Sequence, residues 1–516
     1  MKYKKIIGKW SITVLLIGII MLLAVPLLFG AGYTYPAADD FIAENGSTEW
    51  AVMHGPLRGR LMAALNYYKE WQGTYTSNLV DFTFLPFTRF GLTGFRIVMV
   101  ILSLFFVLSL LFMAYGIISF SQQSVEEDNR HGMRNITLFL YTVLLFAALG
   151  LPGTWIGKEV FYWYTAAIGY LIGIANLFLS IGCFLLANCR KRTGKGYYIC
   201  SVLFGFIAAG TSPQVASFVC SWQLIALLVV ILSAESVRKQ LHFWNICPFL
   251  VSFFGAVINA LSPGSLRRSR VTLEEGINYG MIDAIKDTIV SQKLELKNIL
   301  HDPFFIALAM TLFLVWIFFE MRVAKKEKDV TWIGVLCMIC SVLISQFLCI
   351  FPVVLGYHGK GLNNERTRYV AEFEIRFSLI FAIIFVARYV TQKLPEKVKC
   401  NRTFCPAVIL FGVFICTAGF LFQPNYTKET GYGYSFELIR EFSNGTVQEI
   451  FSLRKEVLNA LESAEDGTDF NLQMPPLPFT RVTYSQGISP NPEDITNRAV
   501  ASMFNLNTVS IEYGAQ

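Results

Sequence analysis

Long apolar runs separated by short polar connections dominate the first four-fifths of the chain. Runs of the length needed to cross a bilayer, about 20 mostly apolar residues, fall near 10–32, 96–120, 136–152, 166–188, 197–210, 214–234, 243–262, 303–320, 332–355, 376–392 and 404–422. This pattern predicts an all-α polytopic membrane protein of about eleven transmembrane helices. Two runs are short, and "GTSPQ" (Gly210 to Gln214) between them reads as a tight hairpin or a broken helix, because Pro213 cannot continue the first member. The pattern changes after about 423. "YSFELIREFSNGTVQEIFSLRKEVLNALESA" has helical periodicity interrupted at Asn444-Gly445, "MPPLPFTRVTY" is extended, and "ITNRAVASMFNL" is helical again. The expected organisation is a membrane domain over 1–422 and a small α/β domain over 423–516.

Composition agrees with that division. Hydrophobic residues make up 54% of the 516 and charged residues 15%, against about 25% charged in a soluble domain. From Tyr426 onward the chain carries 6 Lys+Arg and 12 Asp+Glu, so the tail is at −6 while the rest stands at +13. Basic residues in the body cluster at run ends: Lys2, Lys4, Lys5 and Lys9; Arg190, Lys191, Arg192 and Lys195; Arg238 and Lys239; Arg322, Lys325, Lys326 and Lys328; Lys393, Lys397, Lys399 and Arg402. With eleven spans these all fall on one side. The bias of Lys and Arg toward cytoplasmic loops then puts the N-terminus inside and the C-terminal domain outside. Such charge gives no reason to expect nucleic acid. The first run exceeds the apolar core of a cleavable signal peptide and reads as a retained span. Cys337 and Cys340 have CxxC spacing but lie within an apolar run, which reads as helix packing.

Four substantial loops then face outward: 33–95, 153–165, 263–302 and 357–375. They hold most of the polar chemistry. Asp39 and Asp40 follow the first run in "YPAADDF". Arg58, Arg60 and "YYKEWQGTYTSN" complete the first loop, and Lys158 and Glu159 adjoin Phe161, Tyr162, Trp163 and Tyr164 in the second. Arg267, Arg268 and Arg270 open the third, while His358, Lys360, Arg366, Arg368, Glu372, Glu374 and Arg376 crowd the fourth. Each cluster has a plain reading as a solvated loop, an interfacial aromatic belt or a headgroup contact. Together they offer what a site for a sugar on a lipid phosphate needs. One carboxylate takes the proton of an attacking hydroxyl, guanidinium forks neutralise a phosphate, and flat rings stack on the sugar. A second carboxylate can fix the first or hold a divalent cation such as Mg or Mn. The sequence contains no GxxxxGK[ST] loop, no GxSxG elbow and no HExxH pair.

The stretches "ADDF", "YKEWQGTYTS", "EVFYWYTAAIGYL", "SPGSLRR", "NERTRYV" and "NRAVASMFNLNTVSI" resemble the GT-C superfamily of membrane glycosyltransferases. More narrowly, they resemble a bacterial glucosyltransferase-like polytopic membrane protein family. That resemblance implies a polyprenyl-phosphate sugar donor and a carboxylate in the first outer loop, Asp39 or Asp40, as base or cation ligand. Asp40 is the first choice, being farther from the membrane edge. It further implies Arg267, Arg268, Arg366 and Arg368, with Arg60 and Lys158, on the phosphate side, and Trp71, Trp163, Tyr164 and Glu159 facing the sugar. The family's W-x-G-R pattern is not kept, since "WQGT" has Thr74 at the arginine position; Arg58 or Arg60 would have to substitute. The expected function is transfer of a sugar from a lipid carrier to a cell-envelope glycan or lipid acceptor on the outer face of a bacterial plasma membrane. The alternatives are a transporter or flippase of lipid-linked glycans, whose charged path the nearly charge-free runs argue against, and a non-enzymatic envelope protein acting through its tail.

Overall fold

A computed structural model describes residues 2–121, 142, 157–189, 195–232, 242–274, 279–301, 303–323, 330–394, 434–484 and 486–514. Among the described residues, the membrane part is helical. Its elements are α1 (Lys2–Ala31), α2 (Asp39–His54), α3 (Pro56–Glu70), α4 (Tyr75–Phe84), α5 (Pro86–Ser121), α6 (Lys158–Tyr162), α7 (Tyr164–Ala187), α8 (Lys195–Ala209), α9 (Pro213–Leu232), α10 (Cys247–Ala260), α11 (Pro263–Glu274), α12 (Met281–Leu300), α13 (Pro303–Val323), α14 (Trp332–Gly356) and α15 (Glu365–Lys393). The C-terminal domain adds α16 (Tyr434–Ser443), α17 (Thr446–Glu462), α18 (Ile495–Met503) and two strands, β1 (Asp469–Met474) and β2 (Thr508–Tyr513).

Among the described residues, four helices are long and apolar enough to cross a membrane: Pro86–Phe120, Tyr164–Ala187, Pro213–Leu232 and Trp332–Gly356. The expectation of about eleven spans is therefore corrected. Helices do occur at nine of the eleven runs, but length and charge separate them. The apolar part of α1 and the whole of α8 and α10 are short, at Leu16–Ala31, Lys195–Ala209 and Cys247–Ala260. At 1.5 Å per residue, 14 or 15 residues reach only about two-thirds of a hydrocarbon core of about 30 Å. Helix α15 is long but carries Arg376 before its midpoint and Arg388 and Lys393 in its second half. The runs at 136–152 and 404–422 lie outside the described residues.

The bundle packs α5 on α7, α7 on α8, α8 on α10, α9 on α14, and α14 and α13 on α15. Where α5 crosses α7 the backbones nearly touch: a Cβ on Gly116 would stand 2.9 Å from the Gly182 carbonyl oxygen. Small residues permit such contact where lipid supplies no hydrophobic drive for helix association. Phe178, Phe218, Trp222, Phe373 and Phe377 interlock at the centre, with Trp222 and Phe377 4.3 Å apart. "GTSPQ" separates α8 from α9. Asn259 donates to the Ala209 and Thr211 carbonyls at 3.0 and 2.9 Å, and the Thr76 N–H donates to the Gly210 carbonyl at 2.8 Å. The backbone groups freed by the break are thus satisfied inside the protein.

Three expected loops are largely helical. The first is built from α2, α3 and α4, and the third from α11 and α12. In the fourth, everything from Glu365 onward belongs to α15, whose Glu372, Glu374 and Arg376 are buried. The expectation of charge-free helix interiors is corrected accordingly. Near-complete burial forces these groups to find partners. Arg376 pairs with Glu372 at 3.2 Å, Arg368 pairs with Glu372 at 3.1 Å and approaches Glu295 at 3.8 Å, and Glu374 accepts from the Trp222 indole at 2.7 Å and from the Ser345 hydroxyl.

The tail is a small mixed domain, as its pattern predicts. Gly445 takes a left-handed conformation (φ 84°) between α16 and α17, which glycine adopts without a Cβ penalty. Strands β1 and β2 pair in parallel, Asp469 opposite Thr508 through Met474 opposite Tyr513, with α18 in the connection. The domain docks on the membrane part: α16 packs on α1 and α18 on α2. Arg454 lies against the Tyr35 ring at 5.3 Å and the Tyr513 ring at 4.9 Å. The Tyr35 hydroxyl donates to the Tyr484 carbonyl at 2.6 Å.

Candidate active site

The segment "YPAADDF" turns the chain out of α1 and into α2. Ala38 sits at φ 46°, ψ −117°, a backbone conformation costly for a residue with a Cβ. The turn is held by Asp40. Its Oδ2 accepts from the Ala37 N–H at 3.0 Å, and its Oδ1 accepts from the Thr165 N–H at 2.9 Å and the Thr165 hydroxyl at 2.7 Å. Asp40 is 2% exposed, and burial pushes its carboxyl up to about 7 against those three donors. Its oxygens are spent on the protein, so its role is to tie the start of α2 to the start of α7.

Asp39, one residue earlier, points the other way, as neighbours on a helix must. It reaches solvent, yet enough protein surrounds it to raise its pKa, opposed first by the Arg366 and then by the Arg268 guanidinium. Asp40, the first choice for the base, is buried and bonded to the protein, and the exposed member of the pair is Asp39.

The two arginines arrive from distant parts of the chain with the same support. Arg268, on α11, stacks over Trp71 with 4.7 Å from guanidinium carbon to ring centre; Arg366, on the first turn of α15, stacks over Trp163 at 4.9 Å. Such stacking anchors a guanidinium on a ring face. Arg366 is also paired with Glu159 at 3.3 Å, and the neighbouring Lys158 with Glu365 at 3.2 Å. These two crossed pairs fasten α6 to α15.

Other expected residues sit differently. Arg267 turns to Glu70, and Arg368 belongs to the interior network with Glu372 and Glu295. Arg60 lies beside Arg89 and is not among the cations acting on Asp39. Thr74 is buried and donates to Asn78 at 2.9 Å; it caps local structure where the family pattern has arginine. Trp71 is 46% exposed and open to a ligand. Trp163 and Tyr164 are not: Trp163, 5% exposed, is stacked on Tyr484 (4.9 Å, 6° between planes) and donates to the Ala37 carbonyl at 3.2 Å, while Tyr164 is buried outright. The expectation that these two rings present open faces to a sugar is corrected, since Trp163 holds the turn before α2 and the C-terminal domain together and Tyr164 is packed against Phe95 of α5.

Three site residues escaped the sequence reading. Asp81, on α4, is buried, has no hydrogen-bond partner on Oδ1, and is held well above the ordinary carboxylate range by burial and by the charges of Asp40 and Asp39. Tyr67 faces Asp39 and Asp81 with its hydroxyl shifted upward by burial and by both. Tyr484 comes from the C-terminal domain and lies in the fields of Glu159, Asp40, Arg366 and Asp39. For Asp81 a signal existed, a lone carboxylate in the apolar "NLVDFTF". Tyr484 had none, because the docking of the tail is tertiary. Glu44, fully engaged by the Phe87 N–H at 2.9 Å and by the Thr88 N–H and hydroxyl, caps α5.

A divalent cation at the aspartate pair does not fit this arrangement. Both Asp40 oxygens are taken by protein donors. Among the described residues, no group of three or more His, Cys, Asp or Glu side chains is placed to hold a metal ion. No family model matches the chain, and neither the curated proteins nor the solved structures include a match.

Proposed function

We propose that this protein is a GT-C-type membrane glycosyltransferase that moves a sugar from a polyprenyl-phosphate donor to a cell-envelope glycan or lipid acceptor. The reading puts the reaction on the outer side of a bacterial plasma membrane, with the N-terminus inside and the C-terminal domain outside. One observation carries it: an accessible carboxylate, Asp39, lies in the joint field of two arginines that are each held flat on a tryptophan. In this scheme the acceptor hydroxyl attacks the anomeric carbon and loses its proton to Asp39. The bond from that carbon to the phosphate oxygen breaks, and the lipid phosphate leaves with the electron pair. Arg366 and Arg268 meet its charge, and Trp71 offers a face to the sugar. A base works best with a pKa near the working pH, and the upward shift of Asp39 serves that end. The reading is tested by mass spectrometry of envelope glycans from a deletion strain carrying the wild type, Asp39→Asn or Asp40→Asn. Loss of one sugar with Asp39→Asn supports it; a full glycan complement from that variant at normal protein level rejects it.

The transporter reading gains from Glu372, Glu374 and Arg376 buried in the bundle, since ionisable groups at membrane depth often mark a transport path. Under that reading, Glu374→Gln abolishes glycan export while Asp39→Asn is tolerated, the reverse of the pattern expected for transfer.

A further inference from the structure

Helix α12 falls in what reads as an outer loop, and six of its twenty residues are charged: Asp283, Lys286, Asp287, Lys293, Glu295 and Lys297. That density bars it from crossing a bilayer. One face is fixed to the bundle: Ala284, Thr288, Glu295 and Ile299 are buried, Gln292 donates to the Leu343 carbonyl at 2.9 Å, and Glu295 approaches Arg368 at 3.8 Å. The remaining faces are sorted in a way a water-facing helix has no use for. Ile282, Ile285, Ile289 and Leu300 recur at helical spacing in one stripe and are all exposed, Ile282 by 68% and Ile289 by 54%, and Val290 and Leu294 are exposed on the other side of the lysines. Lys286, Lys293 and Lys297, spaced by seven and four residues, form a second stripe directly beside the first, and all three are exposed. The acids Asp283 and Asp287 lie on the far flank, with Asp287 taken by the Tyr279 hydroxyl at 2.7 Å.

We propose that this face of α12 lies in the headgroup layer of the membrane and binds anionic phospholipids. The isoleucine stripe enters the acyl boundary, and the lysines, on flexible stems at its edge, reach the phosphates. A basic stripe flanked by exposed apolar residues matches an anionic lipid surface, with the apolar side chains in the acyl boundary and the lysines at the phosphates. A second protein would need a partner groove of equal length and opposite charge. The inference stands apart from glycosyl transfer, and its test needs no substrate.

The full chain, reconstituted in nanodiscs of phosphatidylcholine alone or mixed with phosphatidylglycerol, is followed by hydrogen exchange over Met281–Leu300. Each lysine near an anionic surface is worth about fivefold in binding. The wild type should therefore show at least tenfold more amide protection of this helix in the mixed discs. The triple variant Lys286→Gln/Lys293→Gln/Lys297→Gln should lose that increment and keep the protection seen in phosphatidylcholine. Ile285→Asp/Ile289→Asp should lower protection in both lipids, with exchange over Trp332–Gly356 unchanged as the sign that the bundle remains folded. Equal protection of the wild type in the two lipids overturns the proposal. So does a lysine variant that keeps the full increment, or particles holding two copies of the chain with α12 protected only in them.

Discussion

Two charged regions of this molecule use the same residue types to opposite effect. In the bundle, Glu372, Arg376, Arg368 and Glu295 are turned on one another, and Glu374 is satisfied by Trp222 and Ser345. At the start of α2, Asp39 is open to solvent in the field of two arginines that each lie over a tryptophan, and the buried Asp81 nearby has its carboxyl pushed upward and one oxygen without a hydrogen-bond partner. The first arrangement has spent its electrostatics on holding α15 against α9, α12 and α14. The second retains capacity toward a ligand. Charge alone therefore does not mark a site here; what distinguishes the second region is that its carboxylate, Asp39, is open to solvent.

The largest expected effect breaks the comparison from the bundle side. Replacing Arg376 by Leu leaves Glu372 buried with only Arg368 beside it, and losing one partner of a buried pair costs about 3–5 kcal/mol. Thermal unfolding in detergent should show that loss. Asp39→Asn, at the start of α2, should stay within about 0.5 kcal/mol of the wild type, as an exposed substitution does. Equal destabilisation by the two variants would erase the distinction drawn above.

A second effect separates Asp40 from Asp39 by pH. Because burial pushes the Asp40 carboxyl up to about 7, above its ordinary value of 3.8, the folded state keeps this proton to higher pH than the unfolded chain does. Its contribution is most favourable below about pH 4 and is lost as pH rises toward 7, so stability falls across that window by a few kcal/mol. Glu44 and Asp81, also shifted upward, act in the same direction. Melting temperatures measured between about pH 5 and pH 8 should decline in the wild type and decline less in Asp40→Asn. A rise with pH would contradict the assignment of Asp40 as a buried acid.

The smallest effect concerns the tail. A double-mutant cycle on Trp163→Ala and Tyr484→Ala should give a coupling of about 0.5–1.5 kcal/mol, as stacked aromatic pairs do. Zero coupling would mean that the C-terminal domain does not lean on the membrane part in solution.

Much of the helical organisation is legible from the chain because apolar runs and helix breakers act locally: Pro213 and Gly445 end and start helices where their chemistry requires. The number of membrane-crossing helices was not legible. Run length counts apolar residues without revealing that α8 and α10 stop at 15 and 14 residues, or that α15 carries its charges into the bundle. Asp39, Arg268, Arg366 and Trp71 were found among the polar outer stretches, because such residues are scarce in an apolar chain. Their partition from Asp40, Trp163, Tyr164 and Arg368 depends on which side chains the fold consumes. "DD" looks like a matched pair in sequence, and only the Thr165 contacts, 125 residues away, tell the two apart.

The most direct test of the central claim is the rate of lipid-phosphate release from a polyprenyl-phosphate sugar by the reconstituted protein, wild type against Asp39→Asn. Removal of a general base predicts a fall of about 10²–10⁴-fold, with donor binding retained because Arg268 and Arg366 remain. An Asp39→Asn protein that releases lipid phosphate at the wild-type rate would contradict the account.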